Sequence, residues 1–126
     1  MAGDVSKKSE LDDAIRDCQG VINLAGLLTP QCSQNPVRGA EVNLIGAINV
    51  FEGALKHGLK KVAYTSSIGV YGPDHAEFPE PTTHYGSFKL ASEGVARAFY
   101  EEHGISSLGV RPFVVYGPGR EIGGSA

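Results

Sequence analysis

The sequence predicts an α/β fold, with a parallel sheet that carries helices on both faces. The first observation is that short apolar runs, typical of buried strands, alternate with longer segments of helical periodicity. The second is that each connection between successive strands is long enough to hold a helix, and such crossovers join parallel strands. A chain of 126 residues with 41% hydrophobic and 20% charged side chains has the composition of a soluble globular domain.

The first half of the chain predicts two helices and one strand. A polar helix is expected over 7–18, followed by a strand over 21–26 that ends at a glycine. Thr29-Pro30 predicts a turn, and a long helix is expected over 36–57. The predicted sheet-facing stripe of this long helix consists of Leu44, Ile48, Phe51 and Leu55.

The second half predicts two further strands around another long helix. A strand within 61–71 runs into an irregular, proline-rich loop over 73–83. A helix is expected over 84–103, and a third strand over 108–110 with a weaker extension at Val114-Val115. Three strands make a thin sheet with an open edge, so the chain is expected to be the middle of a larger fold.

Charge and cysteine content narrow the class of protein. Eleven basic and fourteen acidic side chains leave a net charge of −3, which argues against nucleic-acid and membrane-surface partners. No apolar run approaches the roughly 18 residues that a membrane span needs. Cys18 and Cys32 form neither a metal-type spacing nor a disulfide framework. We therefore expect a cytoplasmic protein without a metal site.

The predicted helix over 84–103 carries a tyrosine and a lysine one turn apart on its apolar face. At helical spacing this face consists of Tyr85, Phe88, Lys89, Ser92, Val95, Ala96 and Phe99. A free tyrosine has a pKa of about 10, so a tyrosine that acts as a base near neutral pH needs a cation beside it. A lysine on the sheet-facing stripe can supply that charge.

A serine completes the predicted catalytic set. Ser67 ends a predicted strand, and open α/β sheets bind their ligands at the carboxyl ends of the strands. Its hydroxyl can bond to a substrate oxygen while the tyrosine takes the proton. A bare Tyr-x-x-x-Lys occurs often by chance, so the prediction depends on the placement of all three residues on suitable elements. On that basis Ser67, Tyr85 and Lys89 are the expected catalytic residues.

Taken in order, the motifs resemble the extended short-chain dehydrogenase/reductases, in particular the NAD-dependent epimerase/dehydratase group. The resemblance runs from Gly3 to Gly119 and is carried by the segments Val21-Ile22-Asn23-Leu24-Ala25-Gly26, Asn43-Leu44-Ile45-Gly46, Tyr64-Thr65-Ser66-Ser67-Ile68-Gly69-Val70-Tyr71-Gly72, Tyr85-Gly86-Ser87-Phe88-Lys89 and Arg111-Pro112-Phe113. It implies a Rossmann-like domain, incomplete and spanning 1–126, from the end of the third strand to beyond the sixth. No second domain is expected within these residues.

The resemblance also implies a cofactor, a substrate class and an assembly. The expected cofactor is NAD, with NADP left open, and the expected substrate is a sugar or nucleotide sugar. Tyr85 would take the proton of a substrate hydroxyl, with Ser67 bridging and Lys89 holding the cofactor ribose. A homodimer would form through the helices over 36–57 and 84–103. The implied cofactor-binding residues are Asp4, Val5, Leu24, Ala25, Gly26, Asn43, Ser66, Tyr85, Lys89, Pro112 and Phe113.

Two departures from the family pattern keep alternatives open. The glycine-rich phosphate loop of the first strand–helix turn is absent, so the isolated 126 residues are expected to be inactive and to bind NAD weakly. Val114 stands where many nucleotide-sugar enzymes have an asparagine that touches the substrate. The alternative functions are a non-catalytic dinucleotide-binding or regulatory module of the same fold, and a truncated chain that is inactive by itself.

Overall fold

The computed structural model describes residues 2–74 and 77–120, and places three parallel strands in one sheet. The strands are β1 (Val21–Asn23), β2 (Lys61–Thr65) and β3 (Ser106–Val110), in the order β1-β2-β3. The sequence prediction of a partial, parallel, Rossmann-like sheet is confirmed. Because all strands point the same way, their carboxyl ends lie at one edge of the sheet, where Thr65 leads into Ser66 and Ser67.

The helices precede, connect and flank these strands. The long helix predicted over 84–103 is confirmed at both ends, and Thr83 begins it by accepting a hydrogen bond from the Gly86 amide at 3.0 Å. A single turn of 3₁₀-helix over Ile68–Val70 follows Ser67. The helices are α1 (Lys8–Ile15), α2 (Thr29–Gln34), α3 (Pro36–Ala40), a π-helical turn over Glu41–Ile45, α4 (Gly46–Lys56) and α5 (His84–His103).

Several predicted boundaries were wrong. The predicted turn at Thr29-Pro30 is the start of α2, because a proline near the first helical position leaves no intrahelical hydrogen bond unmade. The strand predicted over 21–26 ends at Asn23, whose side-chain oxygen accepts the Ala25 amide and turns the chain. The polar helix predicted over 7–18 covers only Lys8–Ile15, and Val114-Val115 forms no strand. Within the predicted loop over 73–83, positions 75 and 76 lie outside the described residues.

The core-facing stripe of the helix predicted over 36–57 was also partly wrong. Phe51 is 1% exposed as expected, but Leu55 is 42% exposed. The buried side of α4 runs through Ala47, Val50 and Ala54, one residue earlier than predicted, so Leu55 lies beyond the edge of the core-facing stripe. The residues of α4 that enter the core are Ala47, Val50, Phe51 and Ala54.

The described helices cover one face of the sheet. Val62 and Tyr64 of β2 point into a core that α1, α4 and α5 complete, and the Phe51 ring stands edge-on to Tyr64 at 6.0 Å between centroids. On the opposite face Ile22, which pairs with Ala63 and through it with Leu108, is 73% exposed. Helices on both faces were expected; in the part of the chain described here both crossovers run in one direction and so lie on one face.

Candidate functional site

The lysine predicted to be catalytic is buried where α5 crosses the end of β2. Lys89 is 6% exposed, and its Nζ atom donates a hydrogen bond to the carbonyl oxygen of Thr65 at 2.8 Å. Burial disfavours the ammonium form and lowers the pKa of Lys89 below its ordinary value. The stripe predicted from helical spacing therefore faces the sheet, and it carries a cation into the protein at the carboxyl edge of β2.

Tyr85 and Ser67 flank the turn that follows β2. The Nζ atom of Lys89 lies 5.7 Å from the centroid of the Tyr85 ring. A Cβ atom built on Gly69 would lie 3.3 Å from Ser67 Oγ and 3.4 Å from Cδ1 of Tyr85, so both side chains border the same small space. The Gly69 amide donates to Ser67 Oγ at 3.0 Å, which leaves the hydroxyl proton of Ser67 available to a ligand. The structure thus brings the three predicted catalytic residues together.

Asn43 connects the loop after β1 to this group. It is 3% exposed, and its side-chain amide bonds both to the amide of Leu27 at 2.8 Å and to the carbonyl of Leu27 at 2.9 Å. These two hydrogen bonds fix the loop after β1. In this position, a Cβ atom built on Gly26 would lie 3.1 Å from Asn43 Oδ1 and 3.5 Å from Lys89 Nζ. Asn43 lies in the π-helical turn, and its side chain contacts the backbone of Leu27. Gly26 therefore passes directly beside the predicted catalytic lysine.

A cleft of about 260 Å³ brings together other residues predicted to bind the cofactor. It runs along the first strand and the segment after it, and its lining includes Asp4, Val5, Leu24 and Ala25. Asp4 accepts hydrogen bonds from the Ser6 hydroxyl at 2.7 Å and from Arg38 at 2.6 Å. The hydrogen bonds from Ser6 and Arg38 hold the pKa of Asp4 well below its usual range. Asp4 is therefore a carboxylate at neutral pH, oriented at one end of the cleft.

The remaining predicted cofactor residues lie along the ends of β2 and β3. Ser66 is 1% exposed, and its amide donates to the carbonyl of Val110 at 2.7 Å. The carbonyl of Pro112 accepts from the Ile68 amide at 3.3 Å, which continues the pairing of the two segments beyond the sheet. Phe113 is 74% exposed. Ser66 faces the protein interior, whereas Phe113 faces outward at the edge where the site lies.

The sequence prediction missed a partly buried ion pair next to this group. Arg111 donates to both carboxylate oxygens of Glu93, through Nε at 2.8 Å and through Nη2 at 2.6 Å. These bonds lower the pKa of Glu93 and raise that of Arg111. A signal was present, because Glu93 follows Lys89 by four residues and so continues the helical face that enters the protein.

Cys32 packs behind Asn43 without the features of a reactive thiol. It is fully buried, and its Sγ atom accepts a hydrogen bond from the Asn43 amide at 3.2 Å. Burial raises the pKa of the Cys32 thiol, which keeps it protonated near neutral pH. This is the environment of a structural cysteine.

Among residues 2–74 and 77–120, no group of three or more His, Cys, Asp or Glu side chains is arranged to hold a metal ion. Within those same residues, no helix is both long and apolar enough to cross a membrane.

Comparison with known proteins identifies relatives across the whole chain. The model of the NAD dependent epimerase/dehydratase family matches residues 1–125. The N-acetyl-alpha-D-glucosaminyl-diphospho-ditrans,octacis-undecaprenol 4-epimerase of Escherichia coli O157:H7 is 33% identical over 122 residues, which are 91% of this chain and 37% of that protein. The uronate dehydrogenase of Pseudomonas putida is 29% identical over 115 residues, or 86% of this chain and 42% of the relative.

A solved structure agrees with the fold. RMD from Pseudomonas aeruginosa, complexed with NADPH, superimposes with a TM-score of 0.86 at 30% identity, over 96% of this chain and 44% of that one. The chain spans about two fifths of the length of these relatives. The cofactor of the matching family is NAD, as the resemblance implied.

Proposed function

This chain belongs to the NAD-dependent epimerase/dehydratase family, and on that premise we propose that it forms the catalytic part of a nicotinamide-dependent site for sugar chemistry. In this proposal residues 1–126 are part of a Rossmann-type domain, and the full-length protein that contains them oxidises or epimerises a hydroxyl or keto carbon. The observation that carries the proposal is the convergence of Ser67, Tyr85 and Lys89 around the end of β2.

Each of the three side chains has a separate task in the proposed reaction. Tyr85 takes the proton of the substrate hydroxyl, or returns it to a carbonyl, through its phenolic oxygen. Lys89 brings a cation to the site, with its Nζ atom 5.7 Å from the centroid of the Tyr85 ring. Ser67 donates its hydroxyl proton to the same substrate oxygen, since its own acceptor position is already used by the Gly69 amide.

The residues present suit the binding of a nicotinamide dinucleotide, from the cleft beside Asp4 to Lys89. The cleft beside Asp4 and Leu24 has the volume to hold part of the cofactor, and Asp4 offers a carboxylate to its hydroxyl groups. Gly26 leaves open the approach to Lys89, whose ammonium would hold the ribose nearest the reacting carbon. A nicotinamide ring bound there would supply the hydride acceptor for the substrate carbon. NAD is the proposed cofactor, with NADP as the alternative.

The names of the relatives support a sugar or sugar-like substrate. One relative is a 4-epimerase of a glucosaminyl lipid and another is a uronate dehydrogenase. Both names describe chemistry at a carbon that bears oxygen on a sugar. Val114 offers no side-chain hydrogen bond, so we favour a substrate that this position contacts through apolar surface.

We also propose a homodimer and a cytoplasmic location. Large apolar side chains remain exposed on the helical segments predicted to pair: Ile45 is 44% exposed, Leu55 42% and Tyr100 57%. A second copy that covers them would bury apolar surface from both chains. Both cysteines are free thiols, which agrees with a reducing compartment.

The decisive experiment replaces Tyr85 in the full-length protein. Tyr85→Phe is expected to lower turnover of a uronic acid or a nucleotide-sugar hexose at least about 10²-fold, because it removes only the proton-transferring oxygen. Tyr100→Phe, on the same helix, is the matched control: it keeps the apolar ring that the proposed dimer would cover and should retain wild-type turnover. Turnover of Tyr85→Phe near that of the wild type would contradict the assignment. Dinucleotide binding without turnover on either substrate class would favour the non-catalytic module instead.

A further inference from the structure

One carboxylate on α5 connects the ends of two strands. Both oxygens of Glu93 accept bonds from Arg111, which directly follows β3, and Oε1 also accepts the hydroxyl proton of Ser66, which directly follows β2. The Glu93 and Arg111 side chains are 20% and 32% exposed, so water competes little for these bonds. Arg111 in turn donates to the hydroxyl of Tyr71, and its guanidinium lies 5.0 Å from the Tyr71 ring centroid.

Two members of this network are neighbours, along the chain, of residues in the proposed site. Glu93 lies one helical turn beyond Lys89 and two turns beyond Tyr85. Ser66 precedes Ser67 in the chain. The network therefore contacts both halves of the site, the half on α5 and the half after β2, without touching the space between Ser67 and Tyr85.

Backbone bonds alone do not join the two halves. The Ser66 amide bonds to Val110 and the Ile68 amide to Pro112, so the segments after β2 and β3 are fastened to each other. Neither bond involves α5. Across the gap to α5, the direct polar contacts that the described residues make are those of Glu93 with Ser66 and Arg111, and that of Lys89 with Thr65.

The Glu93–Arg111 pair is better suited to orienting the segments it connects than to stabilising the fold. A partly buried ion pair loses the hydration of two charges, and well-packed apolar residues of similar volume are often as stable or more so. A bidentate pair between a guanidinium and a carboxylate does, however, fix both planes and the distance between them. The Ser66 hydroxyl is a third hydrogen-bond donor to the Glu93 carboxylate, after the two from Arg111. The carboxylate must keep one orientation to accept all three bonds.

We propose that Glu93 and Arg111 are positioning residues that hold Ser67 at its working distance from Tyr85 and Lys89. The inference rests on the proposed function, because it assigns to this network the geometry of that site. When the pair is broken, α5 and the turn after β2 shift relative to each other by about 1 Å, the size of misplacement that lowers rates about 10²-fold. The part of the cofactor held in the cleft beside Asp4 keeps its contacts, because that cleft is lined by other residues, so the KM for NAD should change much less than kcat.

The test measures kcat and KM in the full-length protein with NAD and a uronic acid or nucleotide-sugar hexose. Glu93→Gln is expected to lower kcat about 10²-fold while the KM for NAD stays within about threefold of wild type, since small misplacements of reacting groups cost that much. Arg111→Lys keeps the positive charge but loses the bidentate geometry, so its kcat should lie between those of the wild type and Glu93→Gln. Glu101→Gln, at an exposed pair on the same helix, is the control and should match the wild type.

A second variant keeps the ion pair intact. Ser66→Ala removes only the hydroxyl that links Glu93 to the Ser67 segment, and we expect it to lower kcat about tenfold without a change in the KM for NAD. If Glu93→Gln does not fold, Ser66→Ala and Arg111→Lys decide the question. Wild-type kcat in all the variants that fold would overturn the positioning role.

Tyr85→Phe, measured beside these variants, separates the two proposals. An inactive Tyr85→Phe with fully active Glu93 and Ser66 variants would refute the positioning role alone. An active Tyr85→Phe would refute the proposed function itself.

Discussion

Gly86 lies so close to Gly69 that a Cβ atom built on Gly86 would fall 2.0 Å from the Gly69 carbonyl oxygen. The first turn of α5 therefore packs directly on the backbone of the turn that follows Ser67. Because Tyr85 precedes Gly86 and Ser67 borders Gly69, this close contact allows Ser67 and Tyr85 to approach each other. A side chain on either glycine would push the two proposed catalytic groups apart.

Replacing Gly86 tests this contact. Gly86→Ala should lower kcat and also reduce the free energy of unfolding by about 1–3 kcal/mol, because the added methyl group meets backbone that cannot move aside. Gly94→Ala is the matched control on the same helix, where a Cβ would meet nothing within 4 Å. It should raise the free energy of unfolding by about 0.5–1 kcal/mol, the usual gain from alanine in a helix interior. Denaturant unfolding and steady-state kinetics measure both; equal behaviour of the two variants would contradict the prediction.

Lys89 should reduce stability while it supports activity. Its pKa is lowered by burial, so the folded state disfavours the ammonium, and this cost applies at any pH below the lowered value. Lys89→Met should therefore raise the free energy of unfolding at neutral pH by about 0.5–2 kcal/mol and abolish turnover. The gain should vanish above pH 10.5, where the lysine is neutral in both states. Lys60→Met, at an exposed position, should change neither quantity.

The ion pair of Glu93 predicts a dependence of stability on acid. The bonds from Arg111 lower the pKa of Glu93 below its ordinary value of 4.5. Such a carboxylate stabilises the fold above pH 4.5, and that contribution is lost as the pH falls through the lowered value. The wild type should therefore lose more stability between pH 5 and pH 3 than Glu93→Gln does. Urea unfolding at about five pH values measures the free energy of unfolding of both proteins. If that free energy depends on pH in the same way in the wild type and in Glu93→Gln, the ion pair contributes nothing to stability.

Asn43 should stabilise the loop after β1 and the binding of the cofactor together. Asn43→Ala removes both hydrogen bonds to Leu27 and should cost about 1–3 kcal/mol of unfolding free energy, the usual penalty for leaving partners unsatisfied. It should also raise the KM for NAD, because Gly26 would lose its fixed position beside Lys89. Asn35→Ala removes a helix cap at an exposed site and should cost about 1 kcal/mol without changing that KM. A normal KM in Asn43→Ala would show that the loop holds its position without it.

Much of the fold could be predicted from local patterns. The helix over 84–103 is confirmed at both ends because Thr83 and Gly104 are strong local start and stop signals. The parallel direction of the strands was predicted from the length of the connections. The start of α2 at Thr29 was missed because Pro30 was interpreted as a turn residue, although proline also suits the first turn of a helix.

In the candidate site too, some residues could be predicted from local patterns and others could not. Ser67, Tyr85 and Lys89 could be named because their spacing on a strand end and a helix face is a sequence property. The pairing of Glu93 with Arg111 could not be, since two charged residues 18 positions apart have many alternative partners until the fold is known. The exposure of Leu55 was also out of reach, because the packing of α1 and α5 against α4 decides which arc of that helix is buried.

The sequence by itself determined which side chains stand on each strand end and helix face, because those positions depend only on the periods of strands and helices. Only the tertiary structure decided how closely the elements approach. The carbonyl of Gly69 against Gly86, Asn43 on the backbone of Leu27 and the carboxylate of Glu93 between two strand ends are contacts between distant parts of the chain. Their distances are set by packing of the whole core, which no local pattern encodes.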